Sequence, residues 1–163
     1  MPRRVFFSFH FAKDFWRTQQ VRNINALEGQ TICSSNDWED VKKNGSAAVE
    51  RWIENQMHGK SCVVVLTGAE TATRPWVIHE IKKGWNDGKG VLGIRIDRML
   101  GTDGNSSTPG INPFQQVSYG TGTLASVAPL KVPTGSNSKE VYASIANNIE
   151  AWIEEAIRTR NNY

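Results

Sequence analysis

A parallel α/β sheet covered by helices on both faces is the fold class that this 163-residue sequence predicts. Two observations carry it. Apolar, strand-like runs alternate with amphipathic helical patterns about five times along the chain, which is the order of a parallel sheet. The clearest run, "SCVVVL" (61–66), shows no polar alternation, so both of its faces are expected to be buried. The length predicts one domain over 1–163, large enough for a single good core.

The elements follow in order. "VFFSF" (5–9) reads as a buried first strand. Asp14 is placed to cap a helix running to about Leu27, with Val21, Ile24 and Leu27 on one face and Gly29 ending it. "TIC" (31–33) is a short second strand, and the polar stretch 34–45 reads as a loop. From Ser46, Val49, Trp52, Ile53 and Met57 make a helical stripe that Gly59 stops. After strand 61–66 and the loop "TGAETATRP", Pro75 fits the first turn of a helix. Its expected core stripe is Val77, Ile78, Ile81 and Trp85, with Gly88 beyond its end. "VLGIRI" (91–96) is a fourth strand. Residues 101–136 read as an irregular excursion with one further short strand near 128–132; a loop of that length is often functional. Asn137 and Glu140 suit a capping box for a long terminal helix marked by Val141, Ile145, Ile149, Trp152, Ile153 and Ile157.

Bulk properties narrow the function. A net charge of +3 suits a small anionic partner such as a nucleotide and does not by itself argue for duplex DNA. Cys33 and Cys62 lie in apolar surroundings without a CxxC partner, as reduced, buried thiols of a cytoplasmic protein do. No run approaches the ~20 apolar residues of a membrane span. The basic start "MPRRVFFSFHFAKD" is too short and too soon charged to be a leader. No glycine-rich turn follows the first strand, which argues against a dinucleotide fingerprint, a P-loop and a flavodoxin-type phosphate cradle. A receiver's acidic residues and a GxSxG elbow are missing too. His10, His58 and His79 are scattered, so no metal site is expected.

Ligands of open α/β sheets bind beyond the carboxyl ends of the strands, where strand order reverses. That rule nominates "SFHFAKD", "SSNDWED", "TGAETATRPW" and "DRMLGTDGNSS". The third leads into "RPWVIHE" (74–80). There Trp76 and Glu80 stand four apart on one helix face, about a quarter turn from the expected core stripe. Glu80 is thereby expected at the border of core and solvent, where a carboxylate can meet a ligand. The plainer reading is a Trp at the core edge beside a solvated Glu.

Taken together, "RRVFFSFH", "DWEDVKK", "VVVLTG", "WVIHE" and "GINPF" resemble the bacterial TIR-like domains of Thoeris antiphage systems, relatives of the Toll/interleukin-1 receptor domain. The resemblance runs from the first residue to about Phe114. It implies a flavodoxin-like parallel sheet of about five strands. It implies cleavage of the nicotinamide–ribose bond of NAD+, with an ADP-ribose-derived, often cyclic, product that activates a separate effector protein. NAD+ is then a substrate and no permanently bound cofactor is expected. The catalytic glutamate of the family's WxxxE motif corresponds to Glu80. The end of the first strand (Phe7, Ser8, Phe9, His10) and the loop Asn36 to Lys43, including Trp38, correspond to the NAD pocket and to contacts between TIR domains.

One carboxylate suits this chemistry. A cationic nicotinamide leaves neutral, so the second acid that ordinary glycosidases use is dispensable. Trp76 can exclude water or stack on a ring, and Arg74 either meets a phosphate or is a solvated charge. Ser8 either lines the pocket or ends the strand; His10 either orients a ligand or packs against Phe11. Trp38 either folds back on its own domain or anchors a second subunit or an adenine. A non-catalytic TIR-like module acting by self-association is the alternative function, and a nucleoside-processing transferase on the same fold is a third.

Overall fold

The computed structural model describes residues 3–24, 27–29, 42–99 and 106–163, without the side chains of 11–13 and 27–29. Its elements are β1 (Arg3–Ser8), α1 (Phe11–Arg22), β2 (Leu27–Gly29), α2 (Ser46–Met57), β3 (Cys62–Thr67), α3 (Pro75–Asn86), β4 (Gly90–Arg95), β5 (Ser118–Tyr119), β6 (Gly122–Thr123), β7 (Leu130–Lys131) and α4 (Ser138–Asn161). Among the described residues, five strands form one parallel sheet in the order β2-β1-β3-β4-β7, and β5 and β6 pair as a separate small hairpin. The chain runs outward from β1 to β2 and then returns to β3 on the other side. Strand order therefore reverses between β1 and β3.

Strand alternation divides the core in two. Val5, Phe7, Val64, Leu66, Leu92 and Ile94 face Val141, Ile145, Ile149 and Ile153 of α4. Phe6, Val63, Val65 and Val91 face Val49 and Ile53 of α2 and Val77 and Ile81 of α3. All six residues of β3 are buried, as expected of a central strand with helices on both sides. Each such apolar side chain contributes roughly 1.5–3 kcal/mol through burial. The Cys62 thiol is fully buried, and desolvation drives its proton affinity far up.

The first helix departs from expectation at both ends. α1 begins at Phe11, so Asp14 lies in its first turn; His10 takes the cap position. It ends at Arg22, where the Asn23 amide bonds back to the carbonyl of Gln19 and the Ile24 amide to that of Val21. Ile24 then turns into the core beside Val21. Leu27, expected in the helix, belongs to β2, and Gly29 closes a strand instead. A three-residue spacing of apolar residues fits a helix but does not require that the helix reach the last of them. The expected strand 31–33 and most of the 34–45 loop lie outside the described residues.

From residue 106 on, the excursion is more ordered than its composition suggests. Asn112 accepts a hydrogen bond from the Phe114 amide (2.9 Å) and starts a 3-10 turn over Pro113–Gln116. Phe114, Val117, Leu124 and Ala128 are buried in the second core layer. At the start of α4, Asn137 accepts from the Glu140 amide (2.9 Å), while Glu140 reaches Ser136 rather than closing the box on Asn137.

Candidate active site

The pleat of β1 puts Phe6 and Ser8 on the same face of the sheet, the one that α3 covers. On α3 the buried positions are Val77, Glu80, Ile81 and Gly84, an i, i+3, i+4, i+7 stripe. Glu80 is thus inside the core stripe, not a quarter turn away from it. Ile78 and Trp85, which were expected there, are only half-buried. The helix comes close enough for this because residue 84 is glycine: a Cβ there would fall 2.5 Å from Val63 Cγ2.

The two facts meet in one contact. The Ser8 hydroxyl donates to Glu80 Oε1 at 2.6 Å, across 72 positions of sequence. Glu80 is 7% exposed. Burial pushes its carboxyl up to about 8, against the opposing pull of the Ser8 hydrogen bond. The pair lies at the carboxyl end of β1, next to β3, where strand order reverses. A carboxyl group so desolvated is poised to prefer a cationic neighbour once it ionises.

A family model described as the TIR-like domain of the Thoeris protein ThsB matches residues 6–99, more than half of the chain. The chain belongs to this TIR-like family. The matched span contains Ser8 and Glu80 and the whole reversal between β1 and β3. The TIR-like chain is also 36% identical over 125 residues to a Bacillus cereus (strain MSX-D12) protein named "Putative cyclic ADP-D-ribose synthase ThsB1". The alignment covers 73% of this chain and 65% of that relative, so the chain spans slightly less than two thirds of the relative's length.

The remaining predicted residues of the TIR-like domain separate. Phe7 is fully buried in the first core layer, on the sheet face opposite Ser8, and Phe9 packs against that layer half-buried. His10 is half-buried at the start of α1, where its carbonyl accepts the Asp14 amide (2.9 Å). Trp76 is half-buried on the second core layer and meets His79 edge-to-face, ring centroids 5.4 Å apart. Arg74, at the start of α3, stands 3.7 Å from Glu70 in a partly exposed ion pair. Trp38 lies outside the described residues. Among them no group of three or more His, Cys, Asp or Glu is arranged to hold a metal ion, and no helix is long and apolar enough to cross a membrane.

Sequence reasoning missed the neighbours that hold this end of the sheet. Asp14 is 1% exposed, and Arg17 is buried beside it. Asp97, just past β4, is also buried, with Arg95 4.0 Å away. The signal was present in the i, i+3 spacing of Asp14 and Arg17, but an acidic residue near a helix start reads first as a cap.

Proposed function

We propose that this TIR-like domain cleaves the nicotinamide–ribose bond of NAD+ and forms an ADP-ribose-derived, cyclic signal. The observation that carries the reading is the buried Ser8–Glu80 pair at the strand-order reversal. The name of the Bacillus relative supports the same chemistry.

The proposed mechanism needs one carboxylate. With its affinity for a proton pushed up to about 8, Glu80 is largely neutral at pH 7 while the site holds no cation. A pyridinium ring beside it favours the ionised form, and the proton leaves to solvent. As the glycosidic bond breaks, its electron pair goes to the nicotinamide nitrogen and positive charge grows on the ribose. The Glu80 carboxylate faces that charge in a site of low polarity, where the attraction is strong. Ser8 fixes one oxygen and leaves the other to the sugar. Capture of the ribosyl cation by the adenine of the same molecule closes a ring; capture by water gives the linear product. The product then acts on a separate effector, and contacts between TIR-like domains regulate turnover.

The test is incubation with NAD+ and identification of nicotinamide and the ribosyl product by mass spectrometry, beside Glu80→Gln, with a forced oligomer included. Product from the wild type and none from the variant supports the reading. Equal turnover by both removes Glu80 from the chemistry, and no turnover in any assembly state points to the non-catalytic interaction module instead.

A further inference from the structure

At the same end of the sheet the described residues hold a second buried polar group. Asp14 Oδ1 and Arg17 Nη1 are 3.0 Å apart, their side chains 1% and 6% exposed. Arg17 Nε donates to the Met99 carbonyl, beyond β4, at 2.7 Å. The other oxygen, Asp14 Oδ2, has no hydrogen-bond partner among the described residues and lies against Gly68, just beyond β3: a Cβ at Gly68 would fall 2.2 Å from it. Gly110 closes on the same turn, since its own Cβ would meet the Gly68 and Ala69 carbonyl oxygens at 2.5 Å. The chain segments leaving β1, β3 and β4 thus converge on one ion pair.

These segments are the ones that deliver Ser8 and Glu80. The Asp14 amide holds the carbonyl of His10, two residues after Ser8. Gly68 donates to the buried Thr71 hydroxyl (2.8 Å), and this turn leads directly into α3. Movement of α1 against the Gly68 turn would lengthen the Ser8–Glu80 bond and admit water to the carboxyl group.

We propose that the Asp14–Arg17 pair is a positioning element that locks the Gly68 turn to α1 and so sets the geometry and dryness of Glu80. The proposal rests on the reading of Glu80 as the reacting carboxylate. A buried ion pair adds little net stability compared with well-packed apolar residues. What it adds is direction: the planar guanidinium of Arg17 spans Asp14 and Met99 at once, which a lysine does not. The charged groups acting on Asp14 are Arg17 on its own helix, Glu70 from the loop after β3 and Asp97 from the segment after β4. Burial holds the Asp14 carboxyl above its usual range despite Arg17.

The test compares Arg17→Lys, Gly68→Ala and the isosteric Asp14→Asn with the wild type. Titration of Glu80 is followed by carbon-13 carboxyl NMR, and nicotinamide release from NAD+ is measured in parallel. In the folded variants the proton affinity of Glu80 is expected to weaken about tenfold. For turnover, kcat is expected to fall at least about tenfold with KM changed less than about threefold. Variants that lose thermal stability but keep the wild-type Glu80 titration would show a purely structural pair and overturn the proposal. The NMR readout needs no turnover, so a Glu80→Gln variant that still cleaves NAD+ would sink the role given to Glu80 separately, leaving the clamp to be judged by titration.

Discussion

The two ends of the parallel sheet treat carboxyl groups in opposite ways. At the amino ends of the strands, Glu154 of α4 pairs with Arg3 of β1, both partly exposed, and the hydrogen bond from Arg3 holds the Glu154 carboxyl below its usual range. Lys83 and Asp87 pair at 2.9 Å at the end of α3, likewise near solvent. At the carboxyl ends, Glu80 and Asp14 are buried and both are pushed upward, chiefly by desolvation. A cavity at the amino end is lined by Glu54, Met57, His58, Lys83, Asp87 and Lys89, a mixture of opposite charges without a desolvated acid. One end tethers helices to the sheet with exposed, screened pairs. The other buries its acids, Glu80 against a serine and Asp14 against an arginine, so both hold a proton more tightly than they would in water.

The largest expected effect comes from neutralising the buried acid. Glu80→Gln is predicted to lower nicotinamide release about 10²–10³-fold, the range for removing one pre-set electrostatic contact to a transition state. The same change should stabilise the fold. Because the folded chain keeps the Glu80 proton up to about pH 8 and the unfolded chain releases it near 4.5, wild-type stability falls as pH rises between those values. Urea unfolding at pH 5 and pH 8 should show that slope in the wild type and its loss in Glu80→Gln, which is expected to be roughly 3 kcal/mol more stable at pH 7. In steady-state assays, kcat/KM of the wild type should rise with pH with a midpoint near 8, and kcat should rise at lower pH because the bound cation favours the ionised carboxylate.

Gly84→Ala is the next largest. Its methyl group would drive α3 away from Val63, with a loss of roughly 1–3 kcal/mol by chemical denaturation and a parallel fall in activity as Glu80 moves. Ser8→Ala removes the hydrogen bond that opposes Glu80 protonation, so the pH–rate profile should move to higher pH. A neutral-to-charged bond of this kind corresponds to a fall of about ten- to a hundredfold in kcat/KM at pH 7. Arg3→Met closes the series at the other end of the sheet. It should leave nicotinamide release within about twofold of wild type, because an exposed pair there is screened from the site. A large loss of activity in Arg3→Met would erase the contrast between the ends.

Much of this was legible in the residues. The unbroken apolar run of β3, the glycines after α2 and α3, and the parallel sheet itself follow from patterning that local physics enforces, whereas β2 lies where the first helix was expected to end. Glu80 was legible as a candidate but not in its true setting. The expected stripe used Ile78 and Trp85 because they are apolar, whereas the packing turned Glu80 and Gly84 inward. Periodicity reports which residues prefer burial; it does not reveal that a helix has rotated to bury an acid against a serine 72 positions away. The β1 pairing of Ser8 with Phe6 on one face was implicit in the alternation of "VFFSF", yet only the assembled sheet brings that face to α3. The Asp14–Gly68 contact had no local signal at all, since a glycine needed for closeness resembles any other loop glycine.

The sealed thiol of Cys62 supplies a built-in clock for this molecule. An alkylating reagent reaches it only when the central strand parts from its neighbours, so the rate at which the Cys62 peptide gains mass reports how often the whole sheet opens. Ligands or assembly partners that tighten the domain should slow that rate, and no residue has to be changed to read it.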